Sequence, residues 1–278
     1  MLELWKCELE LMQLELWKRV WQWFLCAVAK MAAQEFSVDL NKPLVFQVGH
    51  LGETYQEWVH QPIVSHESPR FFESDFLEFF TRTVWWVIPT IWLPGACYCI
   101  SMSISNGHTL PQIALMVPFG MFVWTFLEYC SHRFVFHIET KSYWGNTIHY
   151  LLHGCHHKHP MDGLRLVIPP AEFAALCIPF WYLYKLLFTP SASPAFFGGG
   201  LIGYVIYDVT HYYVHHGQPT KQVIKSFKVR YLCFNELQKY HLNHHFRIQN
   251  KGFGITTAFW DRVFGSIPQT KAAETKTR

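Results

Sequence analysis

The segment HYLLHGCHHKHP, residues 149–160, and the segment KYHLNHHF, residues 239–246, carry histidines at one shared spacing: His153, His156 and His157 in the first, His241, His244 and His245 in the second. Imidazole is the commonest transition-metal ligand among side chains, and its neutral ring offers a lone pair. Positions three and four apart share a helix face, so each HxxHH run presents three rings together. The outer, i and i+4, pair can take one metal while the middle ring reaches an adjacent one. His211 and His215, in HYYVH, form a plain i, i+4 chelating pair. His132 and His137, in HRFVFH, stand five apart, a step that turns the second ring off the first one's face, so a helix carrying both must end or distort there.

Ten candidate metal ligands result: His132, His137, His153, His156, His157, His211, His215, His241, His244 and His245. Five imidazoles for each of two metals is the natural division. An all-nitrogen set suits iron, zinc, copper or nickel. A single catalytic zinc uses three protein ligands and a water, which ten histidines overshoot. Two redox-active irons at a membrane surface point to oxygen chemistry on a lipid. Isolated His50, His60, His66, His108 and His216 read as surface or core residues, and His149 and His159 as supporting or surface residues. Glu128, four before His132, and Asp208, three before His211, are placed to accept a proton from the outward ring nitrogen and fix its tautomer.

The elements that must position these rings are membrane helices. Half of the 278 residues are hydrophobic and 15% are charged, against about 25% in ordinary soluble domains. A net charge of +3, scattered along the chain, gives no basis for nucleic-acid binding. The eight cysteines form no CxxC pair or framework and read as reduced thiols. Residues 84–104, 111–130, 171–188 and 195–214 are four stretches of the length that crosses about 30 Å of hydrocarbon; the third carries Glu172 and Lys185 near its ends. The run Gly198 to Gly200, with Gly203, allows close helix approach. Two turns, 105–109 and 189–194, then lie on one side of the membrane, and every histidine cluster lies on the other. Neither turn contains Lys or Arg, whereas Arg82, Arg133, Lys141, Lys158, Arg165 and residues 221–230 supply them on the histidine side, which is therefore cytosolic.

The fold expected is an all-α integral membrane protein with four transmembrane helices and a cytosolic histidine-rich helical cap holding a dimetal centre. Its divisions are an N-terminal extension at 1–30, Trp-rich and not essential, a cytosolic region at 31–83, the membrane-embedded domain at 84–268, and a polar tail at 269–278. A metal transporter would place its ligands near the bilayer midplane. Most of these lie beyond the span ends.

The stretches EYCSHRFVFH (128–137), HYLLHGCHHKHPMDGLRLVIPP (149–170), YDVTHYYVHH (207–216), KYHLNHHF (239–246) and GFGITTAFWDRVFGS (252–266) resemble fatty acid 2-hydroxylases of the fatty acid hydroxylase and sterol desaturase superfamily, the plant dihydroceramide type above all. The likeness runs from residue 31 to about 268. It implies an endoplasmic reticulum enzyme, multi-pass, with the ten histidines holding two metal ions: iron for activity, with zinc able to take the same nitrogens in isolated protein. It implies hydroxylation at C2 of long or very long acyl chains of ceramide or dihydroceramide, through O2 activation, removal of a C2 hydrogen and return of the hydroxyl. A membrane lipid desaturase or sterol oxidase of the same superfamily is the alternative. Some relatives carry a fused haem domain whose motif begins His-Pro-Gly-Gly; the His159–Pro160 pair here is followed by Met161–Asp162, so electrons are expected from a separate cytochrome b5 and its reductase.

Overall fold

A computed structural model describes residues 15–23, 36–65, 67–217 and 228–268; His66 lies outside the described residues, as do residues 1–14 of the N-terminal extension. The chain divides into two compact units, Met1–Val38 and Asp39–Arg278. The first contributes a helical run at 15–23. The regular elements of the second are all helices among the described residues. It comprises α1 (Val45–Val48), α2 (Tyr55–Val59), α3 (Asp75–Phe80), α4 (Val87–Ser105), α5 (Leu110–Cys130), α6 (Tyr143–His149), α7 (Cys155–Lys158), α8 (Pro170–Leu187), α9 (Ser193–His216), α10 (Lys228–Phe246) and α11 (Phe259–Val263).

The four stretches expected to span are helical, as α4, α5, α8 and α9, with ends shifted by up to three residues. Among the described residues two helices are long and apolar enough to cross a membrane, α4 and α5, the latter running on to Phe136. They expose Ile91, Leu93, Leu115, Phe119 and Phe122, large apolar side chains that water would not tolerate in such density. α9 packs between them. A Cβ on Gly199 would stand 2.2 Å from the Val117 carbonyl oxygen, and one on Gly120 would stand 2.1 Å from that of Phe196. Backbone thus rests on backbone, as the glycine run requires. Phe173 of α8 stacks on Tyr204 of α9 with centroids 3.4 Å apart and interplanar angle 9°, and Trp124 of α5 closes on both.

Both short turns lie at one end of the bundle. Ser103 accepts the Ala195 N–H at 2.8 Å and donates to the Ser191 carbonyl at 2.9 Å, while His108 Nε2 meets Ser191 Oγ at 3.2 Å. Gly107, at φ 94°, makes the left-handed step that reverses the chain after α4.

At the other end residues 39–83 fold onto the histidine segments. The Ile63 N–H donates to the Lys158 carbonyl at 2.7 Å, and the Thr83 N–H to that of Leu164 at 2.7 Å. The Lys158 ammonium donates to the carbonyls of Trp58 and Gln61, both at 2.8 Å, and lies over the Trp58 ring; burial lowers its pKa to about 8. Arg165 is buried against Phe71 and pairs with both Glu78 and Asp162. Two carboxylates around one guanidinium satisfy a charge that could not otherwise be buried.

Candidate metal centre

Two departures from α geometry aim the rings. α5 does not stop at Cys130 but widens into a π-helical turn, Ser131–Phe136, whose larger circumference brings residues five apart to one side. His132 and His137 consequently face together, centroids 5.0 Å apart. The HxxHH segment at 153 is not one regular helix face: His153 sits in a second π turn, Tyr150–Gly154, and His156 and His157 in the short α7 that follows. In α10 the ring pair His241 and His245 points one way and His244 the other.

The outcome is two groups of five. His132, His137, His153, His157 and His244 form one; His156, His211, His215, His241 and His245 form the other; within each, one nitrogen per ring lies within 4.8 Å of all the others. In the first, Nε2 atoms stand 3.1 Å apart for His132–His153, His153–His157 and His137–His157, and 3.0 Å for His137–His244. In the second, His241 Nε2 is 3.0 Å from those of His211, His215 and His245, and His156 is 2.9 Å from His211. One nitrogen cannot serve three hydrogen bonds of this length, having either one proton or one lone pair. Metal–nitrogen bonds of about 2.0–2.1 Å at right angles, however, set neighbouring nitrogens about 3 Å apart. The donor sets therefore fit two metal ions. Rings of the two groups touch, His157 stacking on His245 at 4.3 Å.

Burial, reinforced by neighbouring rings, holds His153, His156, His157, His241 and His245 well below the usual histidine range, and burial brings His244 to about 3. The rings are neutral, so each offers a lone pair. Tautomers are fixed where Nδ1–H donates outward: His132 to the Phe253 carbonyl at 2.6 Å and His244 to the Lys251 carbonyl at 2.8 Å. The Nδ1 atoms of His156, His157, His211, His215, His241 and His245 are buried without a partner among the described residues.

The expected carboxylate partners behave otherwise. Glu128 accepts the N–H groups of Ile255 and Thr256 at 2.8 and 2.9 Å and the Thr256 hydroxyl, and leaves His132 to a backbone carbonyl. Asp208 accepts from the Ile168 N–H at 3.1 Å and the Tyr204 hydroxyl at 3.0 Å rather than from His211. Both acids point off the ligand face of their helices and tie loops to it. Asp261, which the reading of the sequence passed over, does the same: its carboxylate takes the Phe253 and Gly254 N–H groups at 3.0 and 2.7 Å. A buried acid inside the aromatic run FWDRVF was the available signal.

His149 is buried and bonds Tyr55 through Nδ1 at 2.6 Å. His60 is not remote, as its isolation in sequence suggested: its ring stacks near His137 at 6.1 Å and meets His157 edge-on at 5.3 Å. His159 is buried and His108 sits at the far end of the bundle.

A cavity of about 380 Å³ opens on the rings of His153, His156 and His211. Its other walls are mostly apolar, among them Phe71, Phe136, Leu151, Leu152 and Val167. A second cavity of about 710 Å³, between α3 and the starts of α4 and α8, shares Phe80 and Pro169 with it. Beside it α3 exposes Phe76, Leu77 and Phe79.

A helical bundle with lipid-facing apolar helices, two five-histidine groups at one end and an apolar cavity leading to them defines a membrane oxidoreductase that works on lipid. The chain belongs to the fatty acid hydroxylase family, which it matches over residues 117–266. It is 65% identical over 242 residues to dihydroceramide fatty acyl 2-hydroxylase FAH1 of Arabidopsis thaliana, covering 87% of this chain and 98% of that one. To the fatty acid 2-hydroxylase of Mus musculus it is 42% identical, over 83% of this chain and 64% of the mouse protein. A solved structure of full-length Scs7p, in which only the hydroxylase domain is visible, superposes with TM-score 0.75 at 36% identity, covering 87% of this chain and 89% of that one.

Proposed function

We propose that this protein is a membrane-bound dimetal monooxygenase that hydroxylates C2 of the acyl chain of a sphingolipid, using O2 and electrons from cytochrome b5 and its reductase. The observation that carries the reading is the meeting of both five-histidine groups with one apolar, acyl-sized cavity. The relatives' names supply the reaction: dihydroceramide fatty acyl 2-hydroxylase for FAH1, fatty acid 2-hydroxylase for the mouse protein.

The ten histidines would hold two irons, which when bound supply the activation of O2. The protein's own part is binding and exclusion. Leu151, Leu152, Phe136 and Val167 give the acyl chain an apolar wall and keep water from the C2 position. Burial of the rings keeps them neutral and their lone pairs directed inward. The two cavities adjoin at Phe80 and Pro169, and movement of the Phe80 side chain between them would give a lipid a lateral way in, from the level at which α3 lies on the bundle.

In this reading α4, α5, α8 and α9 cross the endoplasmic reticulum membrane, the histidine end faces the cytosol, and residues 1–30 are dispensable. The test is hydroxylation by purified, iron-loaded protein in lipid nanodiscs with cytochrome b5, its reductase and NADH, read as 2-hydroxyacyl product by mass spectrometry. Double bonds in place of a 2-hydroxy product would replace the hydroxylase reading with that of a desaturase.

A further inference from the structure

A further cavity, of about 600 Å³, reaches the ring of His137 and shares no lining residue with the two apolar cavities. Its walls are of the opposite character: His60, Arg133, Glu139, Arg247, Gln249 and Asn250 line it. Both arginines belong to ligand-bearing segments. Arg133 follows His132 in the π turn, and Arg247 stands just beyond α10, two residues after His245. The Gln249 amide donates to the His60 and His245 carbonyls at 3.3 and 3.2 Å, which ties this wall to the end of α2.

The cavity is joined to one histidine group and not the other. Phe253 lines it and packs on three rings of the first group, His132, His137 and His244, with centroids 5.8, 5.3 and 5.6 Å away. The Arg133 guanidinium lies over the same Phe253 ring at 5.8 Å. The backbone beside it reaches two of those ligands, the Lys251 carbonyl accepting from His244 and the Phe253 carbonyl from His132. No ring of the second group lines this cavity, whereas His156 and His211 of that group line the apolar one.

Charge separates this face from the rest of the second unit. Lys42, Arg70, Arg82, Lys141 and Lys239 each pair with a carboxylate: Asp39, Asp75, Glu78, Glu53 and Glu236. Among the described residues Arg133, Arg247 and Lys251 have no such partner, and Arg133 spends one donor on the Tyr129 hydroxyl at 2.6 Å. Glu139 is the one acid lining the cavity. Cations left uncompensated around an opening steer an acidic protein surface to it and fix its orientation.

We infer that this cationic face, Arg133 and Arg247 with Lys251 around the opening on His137, is where an acidic one-electron carrier protein docks, so that electrons enter through Phe253 and the first histidine group while the lipid meets the rings from the apolar side. The inference rests on the monooxygenase reading and gives its electron donor a place. In that reaction the C2–H bond breaks, a C2–O bond forms with one atom of O2, and the other atom leaves as water. Two electrons and two protons complete the balance. Two reduced carriers dock in succession, the haem iron of each passing from Fe(II) to Fe(III), and the protons come from water in this polar cavity.

The experiment uses the full chain in nanodiscs of zwitterionic lipid and the soluble haem domain of cytochrome b5 as the probe. Binding is read by biolayer interferometry, and turnover is driven either by the reduced haem domain or by a small reductant, photoreduced 5-deazaflavin. Arg247→Glu, at an exposed side chain with no bond to lose, should weaken binding of the haem domain at least about tenfold. Arg133→Glu should add to it. Lys42→Glu should change nothing. Raising salt from about 50 to about 500 mM, which shortens the Debye length severalfold, should weaken wild-type binding and erase the difference between variants. Turnover with deazaflavin and bound metal should stay at wild-type levels in Arg247→Glu. An Arg247→Glu variant that binds the haem domain like the wild type overturns the inference, as does one that loses turnover equally with both reductants. Salt-sensitive docking that Arg247→Glu abolishes, with no 2-hydroxy product from either reductant, would support the docking face and overturn the reaction assigned above.

Discussion

Glu128 Oε1 accepts the backbone N–H of Ile255 at 2.8 Å, and through that contact the end of α5 controls a loop 127 residues away in sequence. The same loop presents the Phe253 carbonyl that receives His132 Nδ1–H at 2.6 Å. The carboxylate thus sets the tautomer of a ring it does not touch. Replacing it leaves the buried Ile255 amide and the half-buried Thr256 amide unpaired and frees the carbonyl to move. Glu128→Ala should lower metal affinity by about 10 to 100-fold, the usual range for groups that support ligands. Glu128→Gln should lose less. The measurement is metal retained after graded exposure to a chelator, with helicity by circular dichroism as control; full retention in Glu128→Ala would remove the loop from any role in holding the site.

That relationship marks where reading the sequence stops. Spacing was enough to pair i and i+4 partners such as His241 and His245, which share a face whatever surrounds them, but not to say which rings of different segments join in one group. The five-residue step from His132 to His137 announced a distortion, and a π turn is there. The second π turn, at Tyr150–Gly154, left no such sign, since His153 and His157 keep a four-residue interval across it. Glu128 and Asp208 were assigned to their nearest histidines because separation along one helix is all that a sequence displays. Their actual partners, Ile255 and Ile168, come from loops whose path depends on packing. His60 was passed over for the same reason.

Substituting a single ring from either group should release metal from the whole centre, since the two groups share segments and touch at His157 and His245. His156→Ala and His244→Ala should each lose at least about tenfold in metal affinity and activity. His108→Ala, at the opposite end of the bundle, should lose neither. His60→Ala should fall between, because its ring packs on His137 and His157. Metal content by inductively coupled plasma mass spectrometry and 2-hydroxyacyl formation are read on the same samples. Full metal and full activity in His156→Ala would refute the ligand assignment.

The bundle's ends should lie on opposite sides of the membrane. The turns at 105–109 and 189–194 are held together through Ser103 and Ser191, so they must share a side. An Asn-x-Thr acceptor inserted after Gly107 or after Ser191 should be glycosylated in microsomes, and one inserted at residue 228 should not. Modification at 228, or at only one of the two turns, would overturn the four-span topology.

Close approach of α9 to α5 is what carries His211 and His215 to the other rings, so its disturbance should be felt at the metal centre. Gly199 has no room for a methyl group: the Val117 carbonyl oxygen would stand 2.2 Å from it, and that oxygen is backbone, which cannot swing aside as a side chain does. Either the helices separate or α9 slides, and both shift His211 and His215, about three and four turns along it. Gly199→Ala should destabilise the fold by about 1–3 kcal/mol, the usual cost of overpacking a close-packed site. It should also weaken metal retention although the residue is far from any ligand. By contrast, Gly95→Ala should be tolerated, because a Cβ there meets only Leu201 Cδ1 at 4.0 Å. Thermal unfolding in detergent with and without added metal distinguishes the two effects. If Gly199→Ala unfolds at the wild-type temperature with its metal intact, α9 does not depend on this backbone contact for its position.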